Sequence, residues 1–337
     1  MNLNNFIQNF RPSKWTKYFI ALSISILLIG IVMFSIMGFN LGMDFTGGSV
    51  IEVEVGETLE QGDTFTTLSS QIETILEEKG LKASSMQIKG EDADASIEVQ
   101  YQNKSGLTDA EISNLNTDIQ SVLEEQLGFT VSQSEAKGAT STAETLTFAL
   151  MAIFIALIAM LIYIAIRFEL LSGVAALVAL FHDVILMCAF VAIFRIEVNS
   201  SFIAAVITIL GYSINNTIII FDRIRENMKK QSLGNLSVKE IADLSVKQTL
   251  RRTINTSLTT ILAVFLLAIF GVASMREFVL PILFGLIVGT YAAIFISAQI
   301  WAYLASRSGK VRDFTEKTNQ TVLNNGVVET TATPIHE

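Results

Sequence analysis

Hydrophobic residues in this chain fall into six long runs separated by polar segments, at about 18–38, 145–166, 170–194, 200–221, 255–275 and 278–304. A helix needs about 20 consecutive apolar residues to cross a hydrocarbon layer about 30 Å thick. The pattern therefore predicts six transmembrane helices, called spans 1 to 6 in chain order. The first run is longer than the apolar part of a signal peptide and no A-x-A-like cleavage site follows it, which favours a retained span.

The polar segment between spans 1 and 2 shows shorter periods. Alternating positions predict strands at 49–55, 82–89, 95–101 and 129–135, and amphipathic stretches predict helices at 63–79 and 108–127. Thr108 and Glu111 have the spacing of a capping box at the start of the second helix. The order β-α-β-β-α-β predicts a ferredoxin-like α+β domain.

Charge assigns sides to these segments. The net charge is −9, but more than half of the acidic residues lie in the domain between spans 1 and 2, while Lys and Arg cluster before span 1, between spans 4 and 5 and after span 6. The positive-inside rule then places both termini in the cytoplasm and the acidic domain outside. We expect residues 1–40 to form the N-terminus and span 1, 41–143 the outer domain, 144–306 spans 2 to 6, and 307–337 a disordered cytoplasmic tail.

Composition narrows the function classes. Hydrophobic residues make up 51% of the 337 residues, which is typical of a membrane protein. The chain shows no basic patch for nucleic acid, and its single cysteine, Cys188, excludes an intrachain disulfide. The outer domain has neither histidine nor cysteine, so the sequence predicts no catalytic site, no metal site and no cofactor.

Ionisable residues occur inside the predicted membrane layer. His182 and Asp183 fall near the middle of span 3. A charged Asp at the centre of an inserted helix costs about 2.5–3.5 kcal/mol, so such a residue normally faces protein or water and is a functional candidate. A structural hydrogen bond between helices is the alternative for both residues, and it is the favoured interpretation of His182 taken alone.

Spans 4 and 5 carry further polar positions. Ser213, Asn216 and Thr217 share one face of span 4 at helical spacing, with Asn215 rotated about 100° away. On span 5 the same spacing aligns a stripe of five polar residues: Arg252, Asn255, Thr256, Thr259 and Thr260. Polar faces on three consecutive spans predict a hydrated or hydrogen-bonded seam.

Four motifs resemble those of the SecD/SecF family of protein-export membrane proteins, which belongs to the resistance-nodulation-division superfamily. They are GMDFTGG at 42–48, ALFHDV at 179–184, GYSINNTIIIFDRIREN at 211–227 and QTLRRTINTSLTT at 248–260. Order, spacing and topology agree over about residues 15–305. In the first motif, Gly42, Gly47 and Gly48 permit a tight backbone after span 1 and Asp44 can accept local N–H bonds, which indicates a structural turn.

The resemblance implies a role in export across the bacterial plasma membrane. It implies six spans forming half of a transporter, a SecD partner as the other half, and action beside the SecY channel (SecYEG) on a translocating preprotein, driven by a proton or sodium gradient. Family members carry an aspartate where this chain has Asn216, and that aspartate and the arginine matching Arg252 are assigned to ion coupling.

Because Asn216 cannot titrate, three explanations of ion coupling remain open. The SecD partner supplies the titrating acid, which we favour; Asp183 has taken over the role; or the chain is weakly coupled or uncoupled. A half-size exporter of small molecules or lipids in the same superfamily is the alternative function, and a passive membrane scaffold is a third class.

Overall fold

The computed structural model describes residues 10–55, 63–89, 95–102, 107–137, 139–230, 236–271 and 275–308. Within them lie six helices long and apolar enough to cross a membrane, as predicted. Spans 1 to 5 are Pro12–Met37, Ala139–Arg167, Leu170–Phe194, Ser200–Met228 and Val238–Phe270. Span 6 is α-helical over Arg276–Ala292, forms a π-helical turn over Ala293–Ser297 and is α-helical again over Ala298–Ser308.

Spans 4 and 5 are longer helices than hydropathy predicts. Span 4 continues through the FDRIRE sequence to Met228, and span 5 begins at Val238. Ser237 and Glu240 form the capping box that starts span 5, so the polar residues from 238 and the apolar residues from 255 belong to one helix. Charged residues end a hydrophobic run but not a helix, because Arg, Lys and Glu are good helix formers.

The domain between spans 1 and 2 is built from four strands and two helices. After a short strand β1 (Asn40–Leu41) and helix α1 (Met43–Thr46) come β2 (Gly48–Glu54), α2 (Asp63–Glu78), β3 (Ala83–Lys89), β4 (Ser96–Tyr101), α3 (Asp109–Leu127) and β5 (Thr130–Lys137). The sheet order is β3-β4-β2-β5 with every neighbouring pair antiparallel. This is the strand order of the ferredoxin-like arrangement that the sequence predicts.

The core of this domain follows the predicted pattern. Ile51 and Val53 on β2 are fully buried against Ile72 and Leu76 of α2 and against residues of α3. The capping box of Thr108 and Glu111 is present at the start of α3. Hydrogen bonds from the backbone N–H and then from the hydroxyl of Thr108 hold the pKa of the Glu111 carboxyl group below its ordinary value. The tail was predicted over 307–337, but residues 307 and 308 end span 6, and residues 309–337 lie outside the described residues.

Spans 3, 4 and 6 form the centre of the membrane bundle. They bury many side chains against one another, whereas spans 1, 2 and 5 expose most of theirs. Span 1 in particular buries only Pro12, Ser23 and Gly30 among its described residues. At the end of the bundle that carries this domain, β1 pairs in parallel with β6 (Glu197–Val198), the two-residue strand between spans 3 and 4. This pairing ties the start of the outer domain to the bundle.

Candidate functional site: polar side chains within the membrane bundle

Asp183 lies in the centre of the bundle. Its side chain is 1% exposed, and the Ser213 hydroxyl of span 4 donates to its Oδ2 atom. Its Oδ1 atom lies 2.9 Å from Nδ1 of His182. Gly289 of span 6 faces the same point, where an added Cβ would lie 3.4 Å from Asp183 Oδ2. The carboxyl group is therefore enclosed by three helices and holds two hydrogen bonds, as an intramembrane acid requires.

His182 links this carboxyl group to spans 1 and 6. Its Nε2 atom lies 2.8 Å from the hydroxyl of Ser23. That hydroxyl lies 2.9 Å from the Tyr291 hydroxyl of span 6 and donates to the Phe19 carbonyl at 2.9 Å. Sequence reasoning missed Ser23 and Tyr291, since a single serine or tyrosine in an apolar run carries no signal of its own. The structure thus joins spans 1, 3, 4 and 6 in one hydrogen-bonded chain.

The polar face of span 4 is buried as expected. Ser213, Asn216 and Thr217 are each less than 10% exposed, and Asn215 lies on the exposed side of the helix. The Asn216 amide donates to the Ser257 hydroxyl of span 5 at 3.1 Å. An amide has no titratable proton near neutral pH, so Asn216 fixes the geometry of this contact.

Span 5 meets span 4 through a face that differs from the predicted stripe. The buried positions repeat every four residues and carry small hydroxyl side chains, at Ser245, Thr249, Thr253 and Ser257. Small residues at this spacing allow close helix packing in membranes. The regular spacing of these small hydroxyl residues was therefore visible in the sequence. The sequence interpretation chose the neighbouring stripe instead, because that stripe contains the charged residue Arg252.

The predicted stripe itself is exposed. Arg252, Asn255, Thr256 and Thr259 all lie on the outer surface of the bundle. The hydroxyls of Thr259 and Thr260 donate to the Thr256 carbonyl of their own helix. Within the described part of the chain, Arg252 and Asn255 have no side-chain partner. The sequence predicted a single polar seam, but span 5 has two polar surfaces. The surface at Ser257 faces the inside of the bundle, and the surface at Arg252 faces outward.

The glycine-rich turn after span 1 is a junction between the outer domain and the bundle. Gly47 has a φ of +72°, which favours glycine. Gly42 and Gly48 pack too closely for a side chain, since an added Cβ would lie 2.3 Å from Glu197 Oε1 and 2.6 Å from the Tyr101 carbonyl respectively. Asp44 accepts a hydrogen bond at 2.8 Å from the backbone N–H of Ser200, the first residue of span 4. The turn is structural, but its carboxylate caps a distant helix.

Carboxyl groups gather beside this junction. Asn199, the N-cap of span 4, donates to the Glu277 carboxylate at the start of span 6. Burial and then the nearby Asp44 carboxylate raise the pKa of Glu197, and a hydrogen bond with Asn199 offsets part of that effect. Among the described residues, no group of His, Cys, Asp and Glu side chains could hold a metal ion.

The opposite end of the bundle carries ion pairs. Arg167, the last residue of span 2, pairs with Asp222 of span 4. Arg223 donates to Gln248 of span 5 at 2.6 Å and pairs with Glu226. Asp222 and Arg223 of the FDRIRE sequence therefore join span 4 to spans 2 and 5.

Comparison with known protein families gives two matches. The family described as protein export membrane protein SecD/SecF, C-terminal, matches residues 119–307, and the SecD/SecF GG motif matches residues 32–58. These ranges contain spans 2 to 5, span 6 up to residue 307, the end of span 1 and the glycine-rich turn.

Individual proteins that are similar to this chain are named as members of the same family. Protein translocase subunit SecF of Rickettsia akari is 36% identical over 85% of this chain and 89% of its own length, and that of Helicobacter pylori is 34% identical over 88% of both. Protein translocase subunit SecDF of Bacillus subtilis is 34% identical, but the chain spans only 40% of its length. The crystal structure of SecDF from Thermus thermophilus matches 88% of this chain and 39% of that one, with a TM-score of 0.71 at 30% identity.

Proposed function

The chain belongs to the SecD/SecF family of protein-export membrane proteins, and from this premise we propose that it is an accessory subunit of the Sec translocase. It forms the smaller, SecF-type half of a two-part assembly whose other half is a SecD-type chain. The relatives support this assignment, since they are named as protein translocase subunits. The alternative of a small-molecule or lipid exporter gains no support from them.

The exposed polar stripe on span 5 carries the proposal. Arg252 and Asn255 lie on the surface of the bundle. Arg252 lies just before the apolar run 255–275 and Asn255 at its start. An arginine facing lipid costs up to about 2.5–3.5 kcal/mol at the centre of a span and less near its end, and an unpaired amide adds to that cost. A second membrane chain that supplies a carboxylate removes both costs. The chain spans about 40% of SecDF relatives, which leaves room in those proteins for such a second half.

Ion coupling then depends on the partner acid. The position of Asn216 holds an amide bonded to Ser257, so this face of span 4 cannot carry a proton. Arg252 lies five residues, about 1.4 helical turns, before Ser257 along span 5. We place the titrating carboxylate of the SecD half opposite Arg252, and Asp183 with His182 as a second ionisable site inside this chain.

Outside the membrane, the domain over 41–143 acts on the translocating preprotein beside the SecYEG channel. The cluster of basic residues between spans 4 and 5 supports a cytoplasmic position for that loop and for both termini. The junction at Gly42, Asp44 and Ser200 supports mechanical coupling, because it joins the start of the domain to the start of span 4.

A charge exchange tests the pairing. Arg252→Glu should reduce copurification of the SecD-type chain and gradient-driven export of a preprotein into inverted membrane vesicles at clamped pH. Arg251→Glu is the matched control, because Arg251 is also exposed but points about 100° away. Replacing the intramembrane aspartate of the SecD-type chain by arginine should restore copurification to Arg252→Glu, because the exchanged charges can pair again. The proposal fails if the two glutamate variants behave alike.

A further inference from the structure

The hydrogen-bonded chain around Asp183 has a property that follows from counting hydrogens. A serine hydroxyl has one hydrogen to donate and two lone pairs to accept with. Ser23 has three partners: the Phe19 carbonyl at 2.9 Å, the Tyr291 hydroxyl at 2.9 Å and His182 Nε2 at 2.8 Å. A carbonyl can only accept, so the Ser23 hydrogen goes to Phe19. Tyr291 and His182 Nε2 must then both donate to Ser23.

This assignment fixes the proton content of His182 and Asp183. With a hydrogen on Nε2, the His182 Nδ1 atom faces Asp183 Oδ1 at 2.9 Å. Two acceptors cannot form this bond, so a second proton lies between them, either on Nδ1 or on the carboxyl oxygen. The pair therefore holds two protons and has no net charge, while Ser213 donates to the other carboxyl oxygen.

Loss of one proton has a defined consequence. The remaining proton stays on Nδ1 and is donated to the carboxylate, which leaves Nε2 as an acceptor. The Ser23 hydroxyl must turn from the Phe19 carbonyl to Nε2, and the pair becomes a single negative charge in a site that is 1% exposed at Asp183. We route the proton through the histidine, because the His182 side chain reaches the surface of the bundle at 20% exposure while Asp183 is enclosed.

We propose that His182 and Asp183 form a proton-binding pair whose state is transmitted to span 1 through Ser23. This deepens the proposed function and rests on it for the link to export. The titratable group that faces the pair from span 6 is Tyr291, and spans 1 and 4 contribute the hydroxyls of Ser23 and Ser213.

Span 1 is the element able to respond. Ser23 is one of three residues that span 1 buries, and the others are Pro12 and Gly30. Its aromatic side chain Phe19 stacks on Phe295 in the π-helical turn of span 6, with ring centroids 3.9 Å apart. Thr16 donates to the Phe295 carbonyl at 2.8 Å. Span 1 leads through β1 into the outer domain, so a change at Ser23 lies on the direct path to that domain.

Histidine nitrogen NMR reads the proton pair directly. The chain has two histidines, His182 and His336, so His336→Gln leaves one labelled residue in the full chain in lipid nanodiscs. Nitrogen shifts distinguish a protonated Nε2 from an unprotonated one. We expect one transition, from Nε2–H at low pH to unprotonated Nε2 at high pH. Asp183→Asn should shift its midpoint by about one pH unit or more.

Two further variants separate the pair from general structure. Tyr291→Phe should change the midpoint, whereas Tyr163→Phe, an exposed tyrosine of span 2, should not. A His182 titration that is the same in wild type and Asp183→Asn overturns the proton pair. So does gradient-driven export at wild-type level by an Asp183→Asn complex. Normal secretion by cells lacking the whole chain would instead overturn the proposed function.

Discussion

The attachment of span 1 to the bundle depends on one glycine, and Gly30→Ala tests how tightly it is packed. An added Cβ would lie 2.5 Å from the Cβ and 2.8 Å from the Cα of Ala189 on span 3. Carbon atoms in contact are optimally about 3.5–4.0 Å apart. Spans 1 and 3 must therefore separate by about 1 Å at this point, and the contacts at Ser23, two turns away, must stretch.

The expected size follows from this overlap. Overpacking of a packed site costs about 1–3 kcal/mol, so we expect Gly30→Ala to lower the free energy of unfolding by that amount. Ala189→Gly in the same chain removes the 2.5 Å contact but leaves the Cα at 2.8 Å. The second change should therefore recover part of the loss, and not all of it, despite its own helix cost of about 1 kcal/mol.

Reversible unfolding of the purified chain in mixed micelles measures these differences, and His182 nitrogen shifts report the Ser23 contact. Gly211→Ala is the matched control, because an added Cβ there meets no atom within 4 Å. We expect this control to be neutral or stabilising. Equal stability of Gly30→Ala and Gly211→Ala, or no recovery by Ala189→Gly, would refute the close packing of spans 1 and 3.

Three other predictions follow from single sites. Tyr101→Phe should destabilise the outer domain by about 1–3 kcal/mol in urea unfolding, because the tyrosine donates to the buried Asn116 side chain at 2.6 Å and its loss leaves that acceptor unpaired. Glu197→Gln should stabilise the chain in thermal unfolding at neutral pH. The pKa of Glu197 is raised in the folded state, so the wild type loses stability as the pH rises from about 4.5 through that pKa. Below about pH 4.5 the carboxyl group is protonated in both states, and the variant should no longer be more stable than the wild type. Asn216→Asp, beside the Ser257 hydroxyl, should raise ion-coupled export if the family geometry is kept, and unchanged coupling in proteoliposomes would contradict this.

The six spans, the outer domain and the cap residues were predictable from the sequence, because each depends on local physics. Apolar runs of membrane length, period-two strands such as the one holding Ile51 and Val53, and the capping box of Thr108 and Glu111 need only nearby residues to be recognised. The burial of Asp183 also followed, from the cost of an ionised group in lipid. Helical rotation separated Asn215 from the polar face of span 4 but did not predict its exposure.

Which polar face meets which helix was decided by the tertiary structure alone. Span 5 presents two polar faces at similar spacing, and only packing against span 4 shows that Ser257 lies inside and Arg252 outside. Ser23 and Tyr291 lie 268 residues apart in the chain, so no local pattern could join them to His182. Periodicity gives the faces of a helix, but the partner of each face is set by contacts distant in sequence, and these exist only in the folded bundle.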